Sequence, residues 1–381
     1  MGVVKRKKKN NKGFTFEVNF TYKDNGITKR YFKGGFHTKK EALNHEIMMK
    51  AQVQEKGTIK KEVKKTFEDV YNEFLENGTL QYQQATIHNT KRYYNDFKSL
   101  CKVPIKNFNY QLLQRYFNSR SNKGIETNRC IKKAINRVLN YAIKVGYIEN
   151  NPLSLVIVTG IDNHMEHEQI LSENDFIRLV SALDEQNTFN YHAYSIAIQI
   201  AYYTGLRISE VLALDKDDID MKNDIINVNK KLCYLGLKKD EFYTTHQMKS
   251  KKSRSIIPLV YPLKQSLIKW FNMNLYEKLL CDCDGYYINP NVLSSSVKKI
   301  SKSLNIEFHF HMLRHTFITN LVMNAVDLKT TQELARHSNI NTTMSIYTHI
   351  QEDHKKSALN NVFNKKCGQN VGIAKLENLS N

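Results

Sequence analysis

The sequence predicts a multidomain chain: a small N-terminal three-stranded sheet plus one helix, an all-α domain, and a mainly α domain carrying a small antiparallel sheet. Three observations predict it. Phe14, Phe16, Val18, Phe20 and Tyr22 alternate with polar residues, apolar residues recur at helical spacing from Phe67 to Val145, and short β-rich runs interrupt the helical pattern between Asp224 and Leu259. Period two marks a strand with one buried face, and a period near 3.6 marks an amphipathic helix.

In the first region Lys23-Asp24-Asn25-Gly26 supplies a turn after the alternating strand, and Thr28 to Phe32 returns as its partner. Gly34-Gly35-Phe36 reads as a short extended piece, and Thr38 caps a helix through Glu41, Ala42 and Ile47. Lys29 and Lys33 are expected on the face away from that helix, where strand-based DNA readers meet a duplex. Lys5 to Lys9 read as a basic tail. After the charged stretch Lys60 to Lys65, Thr66 and Asp69 form a capping pair for a helix with Phe67, Val70, Tyr71, Phe74 and Leu75 on one stripe. Further helices are expected over Thr86 to Leu100, Tyr110 to Asn118 and Glu126 to Val145. Lys91, Arg92, Arg129, Lys132 and Lys133 lie on their polar faces, available to DNA. Asn150-Asn151-Pro152 closes this unit, and Val156 to Glu168 reads as a linker.

Ser172, with Asp175 three residues on, opens a second helical region that continues through Tyr203. Ile225 to Val228, Phe242 to Thr244 and Arg254 to Pro258 read as three short strands, and helices resume beyond them.

Composition points to a polyanionic partner. The 381 residues carry a formal charge of +20, and residues 1–65 alone hold 18 Lys and Arg against 6 Asp and Glu. Such a balance favours nucleic acid over an acidic small molecule. The six cysteines lack a repeated spacing. Cys281-Asp282-Cys283 falls short of the four-ligand pattern of a closed zinc site, so no metal or other cofactor is expected. No run approaches the roughly 18 apolar residues of a membrane span, and no signal-peptide core follows the basic start, so a cytoplasmic protein is expected.

Near the C-terminus His311, Arg314, His315, His337 and Tyr347 stand in the order His-x-x-Arg-His, His, Tyr. Cutting a phosphodiester needs a nucleophile, positive charge for the nonbridging oxygens and a proton for the leaving oxygen. Arginine suits the second task because its planar fork grips two oxygens and stays charged. Arg207 supplies a second fork, and Glu210, three residues on, is close enough on a helix to orient it.

The segments Thr204-Gly205-Leu206-Arg207-Ile208-Ser209-Glu210, His311-Met312-Leu313-Arg314-His315-Thr316 and Leu334-Ala335-Arg336-His337-Ser338, with Tyr347, resemble the tyrosine recombinases. The resemblance covers about residues 66–360, and the basic N-terminal sheet looks like the arm-binding domain of integrases from phages and conjugative transposons. It implies a basic arm-type DNA-binding domain at 1–65, a helical core-binding (SAM-like) domain at 66–155, a catalytic domain at 165–365 and a tail at 366–381. It also implies that Arg207 and Arg314 clamp the scissile phosphate, His311 assists proton transfer and His337 donates a hydrogen bond to the phosphate. Tyr347 would attack to leave a 3′-phosphotyrosyl link, without metal or ATP. The family's general acid is a lysine on a β-hairpin; Lys249 fits best, with Lys251 as the alternative. Glu210 and His315 would be supporting residues. Arg336 departs from the family's usual glycine. The implied partners are double-stranded DNA core and arm sites and three further copies in a tetramer, with an excision factor and a DNA-bending protein as further candidates in the bacterial nucleoid. A type IB topoisomerase-like enzyme and a noncatalytic DNA-binding regulator on the same scaffold are the competing readings. After Tyr347, Asp353 to Phe363 suggest a further helix able to dock on a neighbouring protomer.

Overall fold

The computed structural model describes residues 2–5, 16–24, 26–57, 64–78, 81–162, 170–246, 255–337, 339–344 and 346. The chain divides into two compact units, the first reaching Asp162 and the second following it, with the short Gln84–His88 stretch grouped with the second. No described helix is long and apolar enough to cross a membrane.

The N-terminal sheet is antiparallel in the order β1 (Val3–Lys5), β2 (Phe16–Asp24), β3 (Ile27–Phe36). Its third strand comes from the extreme N-terminus, so part of the expected basic tail is strand. Gly34 to Phe36 simply continue β3. Helix α1 (Lys39–Lys56) starts at the Thr38–Glu41 capping box and stops at Gly57 in the left-handed region, φ 66°. It covers Val18 and Phe20. The register corrects one expectation. Lys33 pairs with Val18 and Lys29 with Tyr22, and directly opposed residues share a face, so both lysines lie on the helix side of the sheet. Lys29 is held there by Asp24 at 2.6 Å. The open face instead carries Thr21, Arg30 and Phe32, with Arg30 Nε donating to Asn19 Oδ1 at 2.8 Å.

In the helical region α2 (Phe67–Gly78), α3 (Gln84–Arg92), α4 (Tyr110–Asn118) and α5 (Ile125–Lys144) bury the predicted stripes, among them Phe67, Phe74, Ile131, Ile135 and Leu139. Thr66 and Asp69 cap α2 reciprocally. The expected helix from 86 to 100 is cut short at Arg92. Tyr94 and Phe97 turn inward instead, Tyr94 donating to Glu68 and Phe97 meeting Phe67 edge-on with centroids 5.7 Å apart. The stretch read as a linker is tied down as far as Asp162. Gln114 bonds both polar groups of Ile157, Asn128 donates to the Thr159 carbonyl at 2.8 Å and Lys123 and Ile125 bracket Ile161. Lys132 belongs to the same strap, its ammonium donating to the Val156 carbonyl at 2.6 Å.

The second unit begins with α6 (Glu173–Asp184), capped by Ser172, and α7 (Phe189–Thr204), which is buried from Ala193 to Tyr202. The one-turn helix α8 (Ile208–Val211) follows. The β region holds two small antiparallel sheets where three strands were expected. β4 (Ile219–Asp220), β5 (Ile225–Val228) and β8 (Ser255–Pro258) form one, β6 (Lys231–Cys233) and β7 (Tyr243–Thr245) the other. Helices α9 (Tyr261–Met273), α10 (Pro290–Ser303), α11 (Phe310–Met323) and α12 (Leu328–Ala335) complete the description, with residues 340–344 helical again. The core gathers α7 with Leu263, Leu267 and Trp270, whose indole N–H donates to the Leu279 carbonyl at 2.7 Å. α7 and α11 pack together, and that pairing positions the site.

Candidate active site

The site is organised around one carbonyl and one carboxylate. Helix α7 ends at Gly205, whose φ of 62° leaves its carbonyl turned back toward α11. A side chain there would be strained by that backbone, and its Cβ would sit 2.4 Å from the Phe317 ring. Arg314, 2 % exposed, reaches this carbonyl with NH1 at 2.7 Å and also donates to the Ala335 carbonyl. One guanidinium thereby joins the ends of α7 and α12. Gly205→Ala is expected to lower unfolding free energy by about 2–4 kcal/mol, adding left-handed strain to overpacking. Urea unfolding of the second unit checks it.

Arg207 is not inside a helix, as its spacing to Glu210 suggested. It is the extended residue just before α8, with φ −73° and ψ 150°. Glu210 is at the third position of that helix. One of its oxygens accepts the Arg207 backbone N–H at 3.0 Å and the other accepts Arg207 NH1 at 2.9 Å. The predicted orientation of Arg207 by Glu210 is present by this different local route. Glu210 is 4 % exposed whereas the Arg207 side chain is 38 % exposed, so the carboxylate is anchored and part of the guanidinium stays open.

His311 and His315, one turn apart on α11, meet edge to face with ring centroids 4.7 Å apart. Burial of the ring, His315 and the Arg314 and Arg207 charges push the His311 imidazole down to about 4, although the residue as a whole is exposed. His337 is 8 % exposed; burial first, then Arg314 and Arg207, push it down to about 4 as well. Its Nδ1 is 2.9 Å from the Thr343 hydroxyl. If that hydroxyl donates, Nε2 carries the proton and is the available donor. Arg314 is lowered to about 9 by burial and by Arg207 and Arg336, and remains charged at neutral pH.

Both histidines have folded-state values below the usual 6.5. Below that pH the unfolded chain binds protons that the fold refuses, so stability is lost as pH falls from about 6.5 toward 4 and is flat above that window. His337→Asn should remove the His337 share of that loss and leave a shallower profile, as read by melting at pH 7.5, 6 and 5. An equal acid loss in the variant would rule out this origin.

The structure brings together Arg207, Glu210, His311, Arg314, His315 and His337. Lys249, Lys251 and Tyr347, and the helix expected after it, lie outside the described residues, although Ile346 packs against Ile318, Val322 and Ala335. Lys29 and Lys33 sit in the N-terminal sheet. Lys91, Arg92, Arg129 and Lys133 are exposed on the helical region, with Arg129 paired to Glu126. Sequence reasoning missed two contributors, Thr343 and Arg336. Arg336 occupies the left-handed position at the end of α12, φ 55°, with its side chain turned inward to Glu210. An arginine where the family resemblance leads one to expect glycine is the available signal. Among the described residues there is no group of three or more His, Cys, Asp or Glu that could hold a metal ion.

Clustered guanidinium groups with one carboxylate, flanked by two histidines that are neutral at pH 7, make a site prepared for an oxyanion. Residues 169–354 match the phage integrase family and residues 3–53 match the Arm DNA-binding domain. Among curated relatives, a tyrosine recombinase XerC-like protein of Caldanaerobacter subterraneus subsp. tengcongensis is 29% identical over 281 residues, covering 66% of this chain and 70% of its own length. Tyrosine recombinase XerC of Bacillus subtilis is 26% identical over 309 residues, covering 76% and 93%. Among solved structures, the Tn1549 transposon integrase with circular intermediate DNA has a TM-score of 0.65 at 20% identity, covering 78% of this chain and 99% of that one. A lambda integrase tetramer bound to a Holliday junction has a TM-score of 0.56 at 15% identity, covering 91% and 94%. These two likenesses show the multidomain fold. In sequence the chain is similar to the tyrosine recombinases, enzymes that cut and rejoin DNA.

Proposed function

We propose that the chain is an integrase that inserts and excises a mobile element at specific DNA sites. The observation that carries this reading is the match of residues 3–53 to an Arm DNA-binding domain in the same chain as the arginine and histidine cluster. A DNA-relaxing enzyme has no need of a second, separate DNA reader, and a noncatalytic regulator has no need of the buried arginines. In this reading residues 1–65 bind arm sites, 66–155 embrace the core site, 165–365 perform the chemistry and 366–381 form the tail. The open sheet face with Thr21, Arg30 and Phe32 replaces Lys29 and Lys33 as the arm-contacting surface. Lys91, Arg92, Arg129 and Lys133 remain candidates for backbone contacts, whereas Lys132 is engaged with Val156.

Arg207 and Arg314 hold the nonbridging oxygens of the scissile phosphate. His311, neutral before DNA arrives, accepts the proton that Tyr347 must lose, since an unperturbed tyrosine has a pKa of about 10. His337 donates from Nε2 to the phosphate. Tyr347 oxygen bonds to phosphorus as the 5′ oxygen leaves and takes a proton from Lys249, giving a 3′-phosphotyrosyl link and a 5′ hydroxyl. The link conserves the bond energy, so the reverse step rejoins strands. Four copies acting on paired sites would exchange them; the lambda integrase tetramer on a Holliday junction supports that assembly for this chain.

Covalent capture from a randomised pool of nicked duplexes identifies the core sequence. Deleting residues 1–65 should leave covalent cleavage of the selected duplex and abolish integration into an arm-bearing partner. Equal integration without those residues would remove the arm-binding part of the proposal. Lys249→Ala should be rescued by a 5′-bridging sulfur, which needs no general acid. Rescue at Lys251→Ala alone would transfer the role.

A further inference from the structure

Arg336 stands in a backbone slot that suits glycine, at φ 55° and ψ 40°. Its side chain is 1 % exposed. Two of its donors, Nε and NH1, have no hydrogen-bond partner among the described residues. An arginine serving only packing would be expected to have its buried donors satisfied. Here strain, burial and unmet donors are tolerated together, which calls for a compensating role.

Its remaining contacts suggest that role. Arg336 NH2 is 3.1 Å from Glu210 Oε2 and 3.5 Å from the Gly205 carbonyl. Arg207 NH1 uses the other oxygen of Glu210, at 2.9 Å, and Arg314 NH1 uses the same Gly205 carbonyl, at 2.7 Å. Arg336 therefore shares one acceptor with each of the two arginines that face the phosphate. It is also the residue next to His337.

We propose that Arg336 is a positioning residue of the cleavage site: it fixes the Glu210 carboxylate from behind, so that Glu210 presents Arg207 to the scissile phosphate in a single orientation. Without Arg336 the carboxylate would keep, among the described residues, only bonds to Arg207 itself, from its backbone N–H and its guanidinium. Held between two, it becomes a fixed post, and Arg207 keeps its open edge toward the DNA. Burial and the nearby Arg207 lower the Arg336 guanidinium, while Glu210 opposes that shift. This inference rests on the reading of Arg207 as a phosphate clamp.

The test uses the full-length protein and the duplex selected by covalent capture. Arg336→Gly, which suits the left-handed slot, should slow formation of the covalent complex by about 10- to 100-fold while leaving DNA affinity unchanged. Combined with Arg207→Lys, it should add little to the loss that Arg207→Lys causes alone, because both act through one guanidinium. Arg336→Lys, which still faces Glu210 with a positive charge, should show a smaller loss of the same non-additive kind, and carries the comparison if the glycine variant does not fold. A wild-type rate in Arg336→Gly, or losses that multiply with Arg207→Lys, would overturn the inference. So would a loss of DNA affinity equal to the loss of rate. If the wild-type protein forms no covalent complex with any duplex, the reading of the site fails first, and that outcome is distinct.

Discussion

Arg314→Ala should abolish covalent strand cleavage, by at least about 10³-fold, the scale set by removing a charged donor from a phosphoryl-transfer site. The effect has two sources. Arg314 would clamp a nonbridging oxygen, and its guanidinium also joins the Gly205 and Ala335 carbonyls. Arg314→Lys separates them. A lysine supplies a charge but no fork, so it should fold better than alanine and still cleave poorly. Single-turnover trapping on the selected nicked duplex, with melting as the control for folding, reads both. Near wild-type cleavage by either variant would remove Arg314 from the chemistry.

Glu210→Ala should be the most damaging change to the fold of the site. The carboxylate is 4 % exposed and lies between Arg207 and Arg336, the latter 2 % exposed. Removing it leaves a buried positive charge unpaired, at a cost of about 3–5 kcal/mol. It also leaves the Arg207 backbone N–H without the Glu210 acceptor at the start of α8. Glu210→Gln keeps an oxygen acceptor but not the charge, and should lie between alanine and wild type in urea unfolding. Cleavage should be lost in both. Stability of Glu210→Ala within about 1 kcal/mol of wild type would contradict the buried pairing, since surface changes are usually that small.

Much of the site was legible because its chemistry is written in short contiguous motifs. The order of Arg207, His311, Arg314 and His337, which the structure brings together, is readable without knowing how the helices pack. What escaped was set by backbone geometry. Arg336 reads as an odd residue in a turn, and nothing in its sequence neighbourhood says that a left-handed backbone will turn it inward to Glu210. Thr343 is six residues from His337 and meets it only through the fold of the chain between α12 and residue 343.

The fold shows the same division. Strong apolar periods placed α2, α4 and α5, because burying a stripe decides both existence and face. Alternation alone places Lys29 and Lys33 on the wrong face because strand parity depends on how the hairpin closes. Asp24 opposite Ile27 sends the odd positions of β3 to the helix side. The helix expected through Leu100 failed because Tyr94 and Phe97 gain more from the aromatic cluster around Phe67 and Tyr71 than from another helical turn. β1 and β6 are only three residues each, too short for a period to declare itself.

In the proposed reaction Tyr347 attacks a phosphate held by Arg207 and Arg314. The most direct measurement is mass mapping of the peptide left attached to the nicked duplex after protease digestion, on the wild-type protein and on Tyr347→Phe. One adduct is expected, a 3′-phosphate ester on Tyr347, and none in the variant. An adduct on any other residue, or one that survives Tyr347→Phe, would contradict it.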